Sequence, residues 1–484
     1  MLFNTMLSER FKFKEIVLLF FTGVAYGLLY ILSTGLPMVW TILLLFAMLM
    51  PCIALLTGSP KRFLLGLLIL FIPINVDKNF FLHSEHTGGA VGLSISIWEI
   101  SLFFLIIMWC YEVAIKRERK FDFLPHFSIP IFCLIGISLL SMINSFSTTL
   151  SIFEIIQLVK MYLLFFYIAH CIKTEGELRY ILLILFSVFC LENVFGLFQY
   201  VSERSFDLAV LGGGEEKFAT KFVTETAFRI PGTFGDSNIF GSYLAMILSV
   251  VLSFSFYKRS LSKLFCSFLF IIGTIVLILT LSRGAWLGFL GSIVMVLFLL
   301  HTKIDIKLKT IFRVGVFFLI IALLFFNFRE IILLRIYGED YGSALSRITM
   351  MRIAYEMIKA NLFLGVGINN YSEVMANYDP TGLTFVYFQP VHNVYLQIAA
   401  EMGIPGLCAF LWFLFVLYRK ALRNIMKTND FISHLRIGVV GGITALLLHS
   451  MVNNGSLGDD IFILFWFFAG LLVATIRVSS KIEK

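Results

Sequence analysis

Charge is what this chain has least of. Charged residues make up 14% of its 484 positions, where a soluble domain is nearer a quarter, so an ordinary water-soluble globule is excluded. Cysteine is sparse and unpaired: Cys52, Cys110, Cys133, Cys171, Cys190, Cys266 and Cys408 include no CxxC and all lie in or at the edge of apolar runs. That removes a thiolate metal site and a disulfide framework, and leaves small packing side chains. The chain also lacks a Walker A loop, a GxGxxG following a strand, an HExxH, and an Asp-x-Asp pair that would hold a metal with a nucleotide sugar. Nucleotide-sugar chemistry is therefore not expected. No nucleic-acid module accompanies the net charge of +8.

What is present is hydrocarbon. Hydrophobic residues reach 59%, and apolar runs of about 17–23 residues recur from end to end, each long enough to cross a bilayer. A membrane barrel would show alternating ten-residue segments instead. Hydropathy predicts an all-α polytopic membrane protein with about fourteen spans: 15–32, 37–56, 62–74, 93–115, 127–143, 150–171, 180–201, 237–257, 264–281, 284–300, 314–328, 403–418, 437–452 and 461–477. The first apolar run has no small-residue cleavage site, so it reads as a retained span. Basic clusters at Arg10/Lys12/Lys14, Lys61-Arg62, Lys116–Lys120, Lys173/Arg179, Lys258-Arg259, Lys303–Arg313, Arg419–Lys427 and Arg477–Lys484 all fall on one face. The positive-inside rule makes that face cytoplasmic and puts both termini there.

The opposite face carries Asn75–Gly92, Ser202–Gly235 and the long interval from Arg329 to about Glu401. The last is too rich in Ile, Leu, Met, Phe and Tyr for a disordered linker. Leu345, Ile348, Met351, Tyr355, Ile358 and Leu362 recur at three and four, which predicts a helix from Ser343 to Asn361, with Ser343 as cap and Gly365 as terminator. On it Arg347 and Arg352 point about 140° apart. Arg352 has Glu356 four residues on, a surface pair; Arg347 has Met351 there, which suits it to an external anion. His392 follows Pro390 at the start of a helix, whose positive end favours neutral imidazole. Such a ring can take a proton from a hydroxyl; it can equally be a structural histidine bonded to loop backbone. Arg352, Asn393, Tyr395 and Glu401 are secondary candidates.

Two further segments carry polar groups at the membrane edge. In Thr280-Leu-Ser-Arg-Gly-Ala285, Arg283 sits between two apolar runs, at the depth of a lipid phosphate, where it either binds a specific anion or reaches bulk headgroups. In Arg229-Ile-Pro-Gly-Thr-Phe-Gly-Asp-Ser-Asn238, Arg229 is another candidate anion contact, while Asp236 and Asn238 suit helix capping. Within spans, Glu99, Glu112, Glu154, Lys160 and Glu192 need partners; Glu192, the most central, suits proton coupling or a structural role.

Taken together, Arg229–Asn238, Leu281–Ala285, Arg347 with Asn361-Leu-Phe-Leu-Gly-Val-Gly367, His392-Asn-Val-Tyr-Leu396 and Glu401-Met-Gly-Ile-Pro-Gly406 resemble the O-antigen ligase and polysaccharide polymerase family of bacterial envelope glycosyltransferases. The resemblance implies a GT-C-like bundle of about 12–14 transmembrane helices with a long helical extracytoplasmic loop. It divides the chain into N-terminal helices 1–224, a catalytic region 225–410 with its loop 329–402, and C-terminal helices 411–484. It implies His392, Arg283 and Arg347 as catalytic residues, Arg229, Arg283 and Arg347 on the substrate diphosphate, and no metal or other cofactor. A proline is common in the family where Ser237 stands. The expected activity is a cell-surface polysaccharide polymerase in the bacterial cell membrane, using a polyprenyl-diphosphate-linked oligosaccharide. A ligase acting on a lipid or protein acceptor is the alternative. A flippase or transporter of the same lipid-linked sugar is the rival of another class, and the long one-sided loop argues against it. Membrane lipid, a chain-length regulator and a flippase are the expected partners, with no nucleic acid.

An enzyme reporter that works only outside the cytoplasm is expected to be active when fused after Asn369 and inactive when fused after Lys120; the reverse pattern inverts the topology.

Overall fold

The computed structural model describes residues 59–74, 77–114, 123–204, 228–257, 260–301, 343–379, 389–423 and 430–482, with a few isolated positions between them. The protein is an all-α polytopic membrane protein: among the described residues nine helices are long and apolar enough to cross a membrane. The predicted spans 15–32, 37–56 and 314–328 lie outside the described residues but for isolated positions.

Contacts divide the chain into two compact units. The first, Met1–Asn79 with Ser94–Lys120 and Leu208–Lys217, contains helix α1 (Pro60–Leu70) packed on α2 (Ile97–Ala114). At 11 residues α1 is too short for the span predicted at 62–74. A two-stranded hairpin, β1 (Asp77–Phe80) and β2 (Leu93–Ser96), precedes α2, so the predicted span 93–115 opens on a strand. The hairpin tip, Phe80–Leu93, belongs to the second unit.

The second unit holds everything that carried a motif. Its helices are α3 (Pro125–Ser141), α4 (Thr148–Cys171), α5 (Glu175–Ser202), α6 (Ser237–Ser255), α7 (Ser260–Leu279), α8 (Arg283–His301), α9 (Ser343–Ala360), the short α10 (Tyr371–Val374), α11 (Val394–Leu422), α12 (Asp430–His449) and α13 (Asp460–Ile482). The apolar windows of α6, α12 and α13 are 83%, 83% and 89% buried, against 39% for the span beginning at Pro125, so these three form the middle of the unit. Inside a bilayer, lipid competes with apolar packing, and close helix approach depends on small side chains. Here α6 repeats them every fourth residue: Gly241, Ala245, Ser249 and Ser253. Ser249 Oγ donates to Ser292 Oγ of α8 at 2.9 Å. A Cβ on Gly438 would stand 2.6 Å from Val250 Cα, and one on Gly288 2.3 Å from the Ala445 carbonyl oxygen.

The segment α11 is two helical stretches that meet at a kink, where Gly403 has φ 69 and ψ 179 and Pro405 follows. The predicted span 403–418 falls on the second stretch, and Gln397 and Glu401 lie in the first. Helix α9 matches the loop helix expected from periodicity, yet its buried face is Met350, Ile353, Ala354 and Met357, packed with Tyr371, Met375, Val391 and Ala400. Ile348, Tyr355 and Leu362 of the predicted stripe are 66%, 60% and 49% exposed. Both faces carry apolar side chains, and the tertiary cluster decided between them. Glu356 pairs with Lys359 at 3.9 Å rather than with Arg352, which is exposed.

Replacing Gly288 with Leu forces a side chain into the Ala445 carbonyl. We expect about 1–3 kcal/mol of destabilisation from such overpacking, read as a lower melting temperature in detergent; an unchanged melt would refute the contact.

Candidate functional site

The separate motif pieces meet in pairs. Arg229 donates from Nε to the Thr280 carbonyl (3.1 Å) and from Nη2 to Asn238 Oδ1 (3.0 Å). The same Asn238 oxygen accepts from Ser282 Oγ at 2.9 Å. Asp236 caps α6, its Oδ1 accepting from Asn238 N (2.6 Å) and Ile239 N (3.0 Å). Thus the Arg229–Asn238 turn and the Thr280–Ala285 turn are stitched together, and Arg229 binds two internal acceptors. Glu192, on α5, accepts from Thr233 Oγ1 at 2.7 Å and steadies that turn from below.

Asn361–Gly367 and Glu401–Gly406 form the second pair. Val366 N donates to Ala400 O (2.9 Å), Gly367 N to Glu401 O (3.0 Å) and Ile404 N to Leu362 O (2.9 Å). Helix α9 ends at Ala360, so Gly365 does not terminate it; Gly365 N closes the next turn on Asn361 O at 2.9 Å. Gly365 and Gly403 have φ of 65 and 69, and a Cβ on either would stand within 2.5 Å of the other strand's backbone. Positive φ and zero clearance together require glycine at both places.

The third piece places the histidine. Asn393 is the N-cap of α11, accepting from Leu396 N at 3.0 Å. This turn is fastened to the end of α12: Val394 N donates to Ser450 O (2.9 Å), Asn393 Nδ2 to Met451 O (3.1 Å) and Tyr395 OH to Leu447 O (2.8 Å). Asn393 and Tyr395 are therefore fixtures of the helix start.

His392, half-buried immediately before this cap, has its ring held far below the usual imidazole range, at about 4. Burial is the main cause and the Arg347 guanidinium the second; a hydrogen bond with Asn454 and the charge of Asp236 act in the opposite direction. The ring is thus neutral at pH 7, with Arg347 and Asp236 both within electrostatic reach. Arg347 also acts on His449, at the end of α12. Against that histidine lies Gly284, the neighbour of Arg283: a Cβ there would stand 2.4 Å from the ring. Arg283 itself is half-buried at the first position of α8. His449 thus touches the Arg283 turn, and the turn after His392 is fastened to the same end of α12.

Asp236, Asn454 and His449 escaped the sequence reading as site members. Asp236 was read as a cap, which it is as well. Glu401 lies behind the site rather than in it. It is 4% exposed, accepts from Tyr371 N at 3.4 Å, and lines a cavity of about 10 Å³ with Glu154, Gln397 and Ser456, room for about one water. Glu154 accepts from Ala90 N (2.9 Å) and Gly458 N (3.2 Å). Nearby, burial and then Glu154 push the Asp459 carboxyl upward. His86 Nδ1 meets Glu373 Oε1 and its Nε2 meets Asn369 Oδ1, both at 2.8 Å. The Asn369 amide is oriented by donating to Ala90 O and Leu150 O, which turns its Oδ1 toward His86. Among the described residues no group of three His, Cys, Asp or Glu side chains is placed to hold a metal ion.

Residues 268–411 match the family model described as O-antigen ligase. That segment includes Arg283, Arg347 and His392, and leaves Arg229, Asp236 and His449 outside. No curated protein matches the chain.

A histidine NMR titration is expected to find the His392 ring neutral down to about pH 5, with its midpoint near 4. Unfolding frees the ring to bind a proton below its ordinary range, about 6.5. This group's contribution to stability is therefore full above that range and lost as pH falls through 4. In Arg347→Gln the midpoint rises; a midpoint that does not move separates the two residues.

Proposed function

We propose that this membrane protein, which carries an O-antigen ligase family domain at residues 268–411, polymerises a cell-surface polysaccharide on the outer side of a bacterial cell membrane. The donor is a glycan on a polyprenyl diphosphate and the acceptor a lipid-linked repeat unit. The observation that carries the reading is a half-buried imidazole at the start of α11, His392, kept neutral by burial first and by the charge of Arg347 second.

The chemistry follows from those two groups. A diphosphate esterified to an anomeric carbon is already a competent leaving group, so the enzyme has two tasks. It must remove the proton of the attacking hydroxyl and must stabilise negative charge gathering on the departing diphosphate. Neutral His392 accepts the proton. Arg347 and Arg283 hold the diphosphate and strengthen their grip as charge builds in the transition state. The acceptor oxygen bonds to the anomeric carbon, the bond from that carbon to phosphate breaks, and its electron pair leaves on the lipid diphosphate. Guanidinium groups supply the positive charge that a metal ion supplies in other glycosyl transfers. Asp236 then faces an imidazolium and stabilises it by charge. Arg229, bonded to Thr280 and Asn238, supports the diphosphate site by bracing the turn that carries Arg283. Basic residues at Lys258-Arg259, Lys303–Arg313 and Arg419–Lys427, taken as cytoplasmic, put this site outside, where the acceptor is found.

His392→Ala is expected to lower turnover by about 10²–10⁴, the range of a single general base, measured as chain formation from lipid-linked repeats extracted from a strain lacking the protein. Turnover at the wild-type rate would take His392 out of the mechanism. In cells without the protein, single repeats accumulating outside support the polymerase. Finished chains stranded on the lipid carrier assign a ligase, and repeats trapped inside assign a transporter.

A further inference from the structure

His449 ends α12 in the middle of the second unit and is 2% exposed. A hydrocarbon side chain would suit such a position, and the sequence places a polar ring there. Its Nδ1 pairs with Ser242 Oγ of α6. Its other edge lies on α8, where a Cβ on Gly284 would stand 2.8 Å from Nε2 and 2.4 Å from Cδ2. One turn along α8, Gly288 faces the same residue, its would-be Cβ 3.5 Å from His449 Cβ. The ring is thus wedged between two helices with no clearance on the α8 side. The α6 residue it binds lies six positions after Asp236, and the α8 residue it touches follows Arg283. On either side of it, the carbonyls of Leu447, Ser450 and Met451 hold the turn that follows His392. The charge of Arg347 reaches both histidine rings.

We propose that His449 is a positioning residue for glycosyl transfer: through its bond to Ser242 and its contact with Gly284 it fixes the Arg283 turn relative to the helix end that seats His392. This inference rests on the functional reading above. His449 touches no reacting atom. It is the point at which the helix bearing the Asp236 cap, the helix bearing Arg283 and the turn bearing His392 share one contact. A polar ring does here what a leucine of similar bulk would not: it answers the Ser242 hydroxyl.

The test compares His449→Leu, His449→Asn and Ser242→Ala in the full-length protein, with polymer formation from extracted lipid-linked repeats as the assay and thermal unfolding as the control. Displacing a reacting group by about 1 Å can lower a rate about 10²-fold. Accordingly His449→Leu is expected to lower kcat about 10- to 100-fold with little change in melting temperature. His449→Asn, whose side-chain oxygen can still accept from Ser242, recovers most of that loss. Ser242→Ala gives a loss of similar size, and combining it with His449→Leu adds little, because the two act through one interaction. The KM for the lipid-linked donor rises in His449→Leu, as the Arg283 turn shifts, and stays near wild type in His449→Asn. Wild-type kcat in His449→Leu overturns the inference. So does equal loss in the Leu and Asn variants with an unchanged KM, which would make His449 a packing residue only. If the Leu variant does not fold, the Asn variant and Ser242→Ala carry the comparison. His392→Ala assayed beside them separates the two claims. If it abolishes transfer while His449→Leu leaves kcat intact, only the positioning role falls; if it leaves transfer intact, the functional reading falls with it.

Discussion

Two helix ends that complete each other underlie this structure. A helix finishes with carbonyls that have no intrahelical donor and begins with N–H groups that have no acceptor. Within a bilayer neither can turn to bulk water, and each unsatisfied group costs several kcal/mol. Here the last carbonyls of α12 and the residues just after it receive the Val394 amide, the Asn393 amide group and the Tyr395 hydroxyl. The end of one span is the seat of the next. His392 sits one residue before that seat, so its location is inherited from a contact that the fold requires for its own reasons.

The remaining parts of the site hang from the same arrangement. Helix α6 enters beside it with Asp236 at its tip, and α8 approaches α12 closely because Gly284 and Gly288 leave no side chain in the way. The electrostatic pairing of Arg347 with His392 then requires only that α9 be pressed against α11, which the buried cluster of Met350, Ile353, Met357 and Ala400 accomplishes. Hydrophobic packing sets the distances, and the charges act within them. Deeper in the unit, Glu154, Glu401 and His86 form a hydrogen-bonded layer that ties the tip of the β1–β2 hairpin to the loop after α9. It supports the site without belonging to it.

Much of this was legible in the sequence, for identifiable reasons. Span-length apolar runs read directly as helices, because the bilayer leaves few other options for backbone. The α9 helix declared itself by period, and the segments around Arg229, Arg283, Arg347 and His392 stood out as polar interruptions in hydrocarbon. Other features were hidden because they are relations between distant residues. Nothing local says that Asn361–Gly367 is the partner of Glu401–Gly406, or that Arg229 bonds to Thr280. The buried face of α9 was ambiguous, since Ile348 and Tyr355 compete with Met350 and Ile353 and only the tertiary neighbours choose. His449 resembled an ordinary residue at a span end. The four-residue rhythm of Gly241, Ala245, Ser249 and Ser253 is legible as a repeat of small residues, which a hydropathy profile does not register.

The glycine-to-glycine seam between residues 361–367 and 400–406 has a further meaning. Three backbone hydrogen bonds join its two edges, and the intervening stretch, from Ile368 to Ala399, leaves and returns at one fixed place. Such a stretch behaves like a cassette in a frame. The frame fixes where the stretch begins and ends, so His392, near its far end, is handed back to α11 at a set position. A change of length inside the stretch would be absorbed between the two edges, without shifting the register in which Ala400 and Glu401 meet Val366 and Gly367.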